Sequence, residues 1–164
     1  MIGGGCRGLD LARALTAEGH AVRAVTRRPE ARAAIEATGA ECFGGDPDVV
    51  GTLRYALDNV TILLWLLGTA RGPEDKVAAL HGSRLRMMLE KTTDTTVRGV
   101  VYEAAGTVGP ELLATGAEEI RRAQQLNEIP YALVTADPAD RAAWVADARA
   151  AIDALLTARR GAAA

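Results

Sequence analysis

The opening stretch MIGGGCRGLDLARALTAEGHAVRAVTRRPE constrains this chain more than any other. Gly3, Gly5 and Gly8 form a G-x-G-x-x-G pattern, followed by an amphipathic run and then a β-rich run over residues 21–26. Each glycine has a physical job in a strand-turn-helix unit that grips a pyrophosphate. Gly3 permits the tight turn, Gly5 lets the backbone approach the phosphates, and Gly8 lets the helix lie close on the sheet. Bare N–H groups and the dipole of the helix N-terminus then face the anion, and Cys6 and Arg7 sit at that same helix start. Leu11, Ala12 and Leu15 point one way while Asp10, Arg13 and Glu18 point elsewhere, and Gly19 stops the helix. The alternative is a glycine-rich turn with no ligand, which would not need this strand-turn-helix context.

The remaining chain repeats the alternation. Only Met1 and Ile2 precede the first glycine, so the first strand, central in such a fold, is truncated; a translation start upstream of Met1 would account for it. The second strand, residues 21–26, ends in Thr26-Arg27-Arg28. An enzyme using NAD would carry Asp or Glu there for the ribose hydroxyls, whereas two guanidiniums suit a 2′-phosphate, favouring NADP(H) with NAD(H) as the lesser choice. The alternative is a pair of solvated arginines. Pro29 opens a second helix, with Ala31, Ala34 and Ile35 inward and Gly39 at its end.

Residues 40–45 read as the third strand, and Asp46-Pro47 as the cap and first turn of a helix burying Val49, Val50, Leu53 and Leu57. Residues 60–67 are too apolar for a wet face and too short for a buried helix, which makes them a strand covered on both sides. Gly68 and Thr69 follow it, at the carboxyl edge where ligands lie in such sheets. A long helix then runs from Pro73 to about Lys91, with Val77, Leu80, Leu85, Met88 and Leu89 as a broad apolar face and His81 as a structural residue. Residues 97–105 form the fifth strand. A sixth unit has a helix over 111–127, a strand over 131–135, and a last helix capped by Asp137-Pro138 with Val145, Ala148, Ile152 and Leu155 on one face. Six strands alternating with helices predict a single α/β domain over residues 1–160, a Rossmann-type doubly wound parallel sheet in the order 3-2-1-4-5-6, followed by a frayed tail at 161–164.

Composition narrows the function. With a formal charge of −2 and 4% aromatics, the chain has neither the clustered positive charge nor the stacking surface that nucleic acid needs. Its longest apolar run, residues 60–67, is far short of the ~20 residues that cross a bilayer. Cys6 and Cys42 have no metal-ligand spacing and read as reduced thiols in a cytoplasmic protein. A helix N-terminus lowers a thiol pKa, so Cys6 is either redox-reactive or simply fills space.

Two family resemblances are carried by these residues. GGGCRGLDLARALTAEGHAV is similar to the opening of FAD-dependent oxidoreductases, but those end the second strand in an acidic residue, and here Arg27-Arg28 follow Thr26. The closer resemblance is to the short-chain dehydrogenase/reductase superfamily, in its extended and atypical branches. VRAVTRRPE resembles their NADP-type second strand, and GGDPD at residues 44–48 resembles their Gly-Asp-x-x-Asp, which implies that Asp46 meets the adenine. The resemblance stops at the chemistry. Those reductases pair a tyrosine acid/base with a lysine four residues on, and add a Ser or Thr after the fifth strand. The lysines here are Lys76 and Lys91 and the tyrosines Tyr55, Tyr102 and Tyr131, so no such pair exists; Glu103-Ala104-Ala105-Gly106 stands where the Ser or Thr would be. The chain ends just after the sixth unit, which leads to the expectation that the family's substrate-binding extension is absent as well.

Glu103 is therefore the candidate catalytic residue, a carboxylate at the carboxyl edge of a central strand that could orient a carboxamide or relay a proton if desolvated. The alternative is a structural acceptor for loop N–H groups. Thr69 and Thr107 would supply hydroxyls beside it. The expected function is an oxidoreductase of atypical short-chain reductase type on an unknown small substrate, against a non-catalytic dinucleotide-sensing or partner-binding module. The broad face of the helix from Pro73 to Lys91 also predicts a homodimer.

Overall fold

The computed structural model describes residues 1–158, so the tail expected at 161–164 lies outside them. The elements are β1 (Ile2–Gly3), α1 (Gly5–Ala17), β2 (Arg23–Thr26), a 3₁₀ turn at Pro29–Ala31 leading into α2 (Arg32–Glu36), β3 (Glu41–Gly44), a 3₁₀ segment at Val50–Leu57, β4 (Ile62–Leu66), α3 (Glu74–His81), α4 (Ser83–Thr92), β5 (Gly99–Glu103), α5 (Pro110–Asn127), β6 (Tyr131–Val134) and α6 (Arg141–Ala158). The strands form one parallel sheet in the order β3-β2-β1-β4-β5-β6. That is the doubly wound order, with its switch point between β1 and β4.

Burial follows the strand period. On β4, Leu63 and Trp65 face a core completed by Leu53, Leu85, Met88, Tyr102 and Ile120. Leu64 and Leu66 face the opposite core, with Leu11, Leu15, Val101, Trp144 and Ile152. This continuous burial is why the β4 sequence shows no alternation. The two-residue β1 is held by its flanks: Ile2 pairs with Val25 and Trp65, and the Met1 amine donates to the Arg23 carbonyl at 2.6 Å. Burial, with Arg23 adding to it, lowers that amine to about 5. Arg23 closes the lower end of the sheet by donating to the carbonyls of Ala56 and Asp58 and to Glu41.

Four local expectations are corrected. The helix expected from Pro73 to Lys91 is two helices broken at Gly82. In an unbroken helix the Leu80 carbonyl would accept the Arg84 N–H, but here it accepts the Trp65 indole N–H at 3.0 Å, and glycine offers little helical resistance to the break. Asp46-Pro47 starts no α-helix. Asp46 instead accepts the Asp48 N–H at 3.0 Å, an Asx turn, and the Thr52 hydroxyl bridges Val49 and Asp46, which leaves Val49 exposed. Ala34 is exposed along the crevice beside the sheet, so Ile35 alone of the second helix is buried. The last helix is capped by Asp140, whose carboxylate accepts the Ala143 N–H; Asp137 makes a turn just before it.

Candidate functional site

The carboxyl ends of β1, β2 and β4 open into a crevice of about 740 Å³. Gly3, Gly5, Cys6, Gly8, Thr26, Arg27, Arg28, Asp46 and Thr69 all line it. Arg7, Gly68 and Glu103 do not; they lie behind its wall.

The glycine loop is shaped by close approach. Gly3 has φ +84°, and a Cβ on it would stand 2.2 Å from the Leu66 carbonyl oxygen. At Gly8 a Cβ would stand 2.9 Å from the Gly3 carbonyl oxygen, so helix and loop touch backbone to backbone. Gly5 has open space around its Cβ position. Gly4, the cap residue, has no side chain to occupy the first amides of α1, and the first turn carries no acidic residue. A helix N-terminus left open in this way fits a pyrophosphate.

Thr26 organises the far end. Its hydroxyl accepts the Arg28 N–H at 3.1 Å, turning the chain so that Arg27 and Arg28 reach the mouth. Arg27 is only loosely paired, 4.0 Å from Asp46, and Arg28 has no ion pair among the described residues. The expected site omits the opposite wall: Arg71, Pro73, Lys76, Val77 and Leu80 also line the crevice. Lys76 is tied to Asp48 at 2.9 Å, and Asp48 also takes Arg84 at 3.2 Å. These two partners hold the Asp48 carboxyl below its ordinary range. The signal for this wall was the placement of residues 71–76 directly after β4, at the ligand edge.

Glu103 is fully buried. Its Oε2 accepts the Gly68 N–H at 2.6 Å, and its Oε1 accepts the Trp144 indole N–H at 2.7 Å and Arg7 Nη2 at 3.1 Å. This is the loop-acceptor arrangement. The Arg7 guanidinium also donates to the Thr69 hydroxyl at 3.0 Å and lies 5.0 Å from the Trp144 ring centroid. Thr107 is exposed on the loop after β5. Tyr102, one residue before Glu103, points to the other side of the sheet. Its hydroxyl sits 2.7 Å from His81 Nδ1 and donates to the Leu113 carbonyl at 3.2 Å, in space that only Gly116 leaves open. Burial, then the nearby Glu103 charge, raises the Tyr102 phenol well above its ordinary value. Burial lowers His81, against the opposing hydrogen bond with Leu67. Both side chains are buried on the face of the sheet opposite Glu103.

No protein-family model matches the chain, and no curated protein matches it in sequence. Solved structures do. A short-chain dehydrogenase/reductase superfamily protein from Agrobacterium tumefaciens with bound NAD superposes with a TM-score of 0.67 at 19% identity, covering 82% of this chain and 47% of that one. The chain has the Rossmann-type fold. The Citrobacter sp. triphenylmethane reductase complexed with NADP(H) gives a TM-score of 0.61 at 19% identity over 82% of this chain and 48% of its own. An NADPH-dependent quinone oxidoreductase from Escherichia coli gives 0.57 at 20% identity over 82% and 46%. The chain spans about half the length of these proteins.

Proposed function

We propose that this chain binds NADP(H) in preference to NAD(H), as the cofactor-binding unit of a reductase-type oxidoreductase acting on a small substrate. The observation that carries the reading is Arg27 and Arg28, loosely held at the mouth of a crevice whose other end is an open helix N-terminus. In this assignment Gly3, Gly5 and Gly8 admit the pyrophosphate, Cys6 lines its bed, Thr26 sets the turn that presents the arginines to a 2′-phosphate, and Asp46 meets the adenine. Thr69 lies on the nicotinamide side. When bound, the cofactor supplies the hydride. Neighbours bound to NADP(H) or NAD support a nicotinamide dinucleotide. Calorimetric titration decides the preference: NADP⁺ binds more tightly than NAD⁺, and an Arg27→Ala, Arg28→Ala double variant loses the difference. Equal affinities in the parent protein would remove the 2′-phosphate assignment.

A second reading, a non-catalytic dinucleotide-sensing module, is favoured by the geometry of the ionisable groups: Glu103 has both oxygens engaged, and Tyr102 and His81 face away from the crevice. NADPH oxidation screened with quinones, flavins and small carbonyl compounds separates the two. Turnover with any of them supports the enzyme, and tight binding without turnover supports the module. A homodimer belongs to the same proposal, carried now by a smaller patch. Leu85, Met88 and Leu89 are covered within one chain, while Met87 is exposed beside Arg84, which reaches Asp48 next to the exposed Val49. Sedimentation equilibrium of the parent protein and a Met87→Glu variant tests it.

A further inference from the structure

Glu103 is a fully buried carboxylate that gathers donors from three different elements, and nothing in the proposed cofactor contacts calls for it. Arg7 belongs to the first turn of α1, the turn that carries the pyrophosphate amides. Gly68 and Thr69 belong to the loop after β4, the other wall of the crevice. Trp144 comes from α6 and backs the Arg7 guanidinium. The loop after β5 is locked into the same spot: a Cβ on Gly106 would overlap the Gly68 carbonyl, and the Val108 N–H donates to that carbonyl at 3.0 Å.

We propose that Arg7 and Glu103 are positioning residues for the dinucleotide, a buried ion pair that sets the spacing between the glycine loop and the loop after β4. The proposal rests on the dinucleotide reading. Arg7 can hold this spacing because one Nη2 reaches both Glu103 on β5 and Thr69 on the opposite wall, at 3.1 and 3.0 Å. Its charge is already neutralised by Glu103, and Arg7 is not part of the crevice lining. It therefore acts on the ligand through the loop, not as a phosphate ligand. Glu103 cannot be replaced by its amide without loss. A glutamine oxygen can accept from Gly68, or from Arg7 and Trp144, but its NH₂ then faces donors on the other side.

The two roles for Arg7 predict opposite signs for one substitution. If Arg7 contacted the pyrophosphate directly, Glu103→Gln would release its guanidinium and tighten NADP⁺ binding. If the pair sets the spacing, Glu103→Gln weakens NADP⁺ binding by about tenfold. Calorimetric titration with NADP⁺ is the test, on the parent protein, Glu103→Gln, Arg7→Met, Arg7→Lys and the Arg7→Met, Glu103→Gln double variant, with a melting curve of each ligand-free protein. Weaker binding in each single variant, partial rescue by lysine, and a double variant no weaker than Arg7→Met alone are the expected results. Arg7→Met leaves a buried charge unpaired and can unfold the chain; the double variant removes that charge and keeps the comparison in hand. Variants that melt early yet bind NADP⁺ at parental affinity would show a purely structural pair and overturn the proposal, as would tighter binding by Glu103→Gln. A parent protein that binds no dinucleotide overturns the cofactor reading and this role with it, whereas a parent that binds and variants that bind equally well overturn this role alone.

Discussion

At the scale of single residues, the glycine loop separates stability from binding. Gly3→Ala places a methyl against the Leu66 carbonyl at a positive φ, and a cost of about 3 kcal/mol or more is expected from the strain and overlap together. Gly5 also has a positive φ, but its Cβ position is open. Gly5→Ala should therefore cost only about 1–2 kcal/mol of stability while its methyl intrudes on the ligand bed. Urea denaturation and NADP⁺ titration of the two variants check this: Gly3→Ala is expected to fail chiefly in the first measurement and Gly5→Ala in the second. Titratable residues give a pH dependence of definite sign. His81 is held below its ordinary 6.5 by burial. As pH falls through 6.5, the unfolded chain takes up a proton that the folded protein resists, so stability present above that value is progressively lost toward the lower folded value. In a protein whose first residue is Met1, the buried amine acts in the same sense between 8.0 and about 5, with an upper limit of about 4 kcal/mol. The paired carboxylates of Asp10, Asp48 and Glu119 are lowered from ordinary values of 3.8, 3.8 and 4.5, so their losses fall at more acid pH. The melting temperature is expected to decline from pH 8 to pH 5, and a flat calorimetric profile would contradict the burial of both groups.

Elements were legible where one local pattern had one structural outcome, and not where a tertiary partner chose between two. Residues 60–67 could only be a strand covered on both faces, and β4 is that strand. Asp46-Pro47 fits a helix cap and an Asx turn equally well, and the Thr52 hydroxyl selected the turn. Asp137 and Asp140 are both good caps; the start of α6 falls where Trp144 can deliver its indole N–H to Glu103, a partner on β5 that no local rule sees. The break at Gly82 has the same kind of cause, because Trp65 takes the carbonyl the helix needs. Trp65→Phe should leave the Leu80 carbonyl without its buried donor and cost about 1–3 kcal/mol beyond the small loss of packing. Adding Gly82→Ala, which favours continuous helix, should then recover more stability in the Trp65→Phe background than in the parent, where its Cβ would sit 3.3 Å from the Ala78 carbonyl. Denaturant midpoints of the four proteins measure that coupling, and additive effects would detach the break from Trp65.

On the scale of the whole molecule, the candidate crevice straddles the switch point, so its ligand would connect two halves of the sheet that meet only through a two-residue β1. In the proposed assignment the adenosine side would rest on β2 and β3 through Arg27, Arg28 and Asp46, and the nicotinamide side on the loop after β4 through Thr69, all of which line the crevice. That these residues share one crevice was readable from the sequence, because the glycines mark the turn after β1 and the arginines the end of β2. For the opposite wall the sequence showed only the position of residues 71–76 after β4; Lys76 and Leu80 join the crevice once α3 is docked beside it. A ligand that touches both sides binds the folded chain and not the unfolded one. At about 100 times its Kd it stabilises the fold by about 2.7 kcal/mol, which for a chain of this size raises the melting temperature by about 5–10 °C. NADP⁺ is expected to produce that shift and NAD⁺ a smaller one at the same concentration, because only NADP⁺ carries the phosphate that Arg27 and Arg28 would hold. Arg27→Ala, Arg28→Ala should bring the NADP⁺ shift down to the NAD⁺ level without moving the ligand-free melting temperature, since both side chains are exposed and neither has a close partner among the described residues. A thermal-shift series with the two dinucleotides and the two proteins measures all four values; shifts of equal size for NADP⁺ and NAD⁺ in the parent would leave the arginine pair without a role in choosing the cofactor.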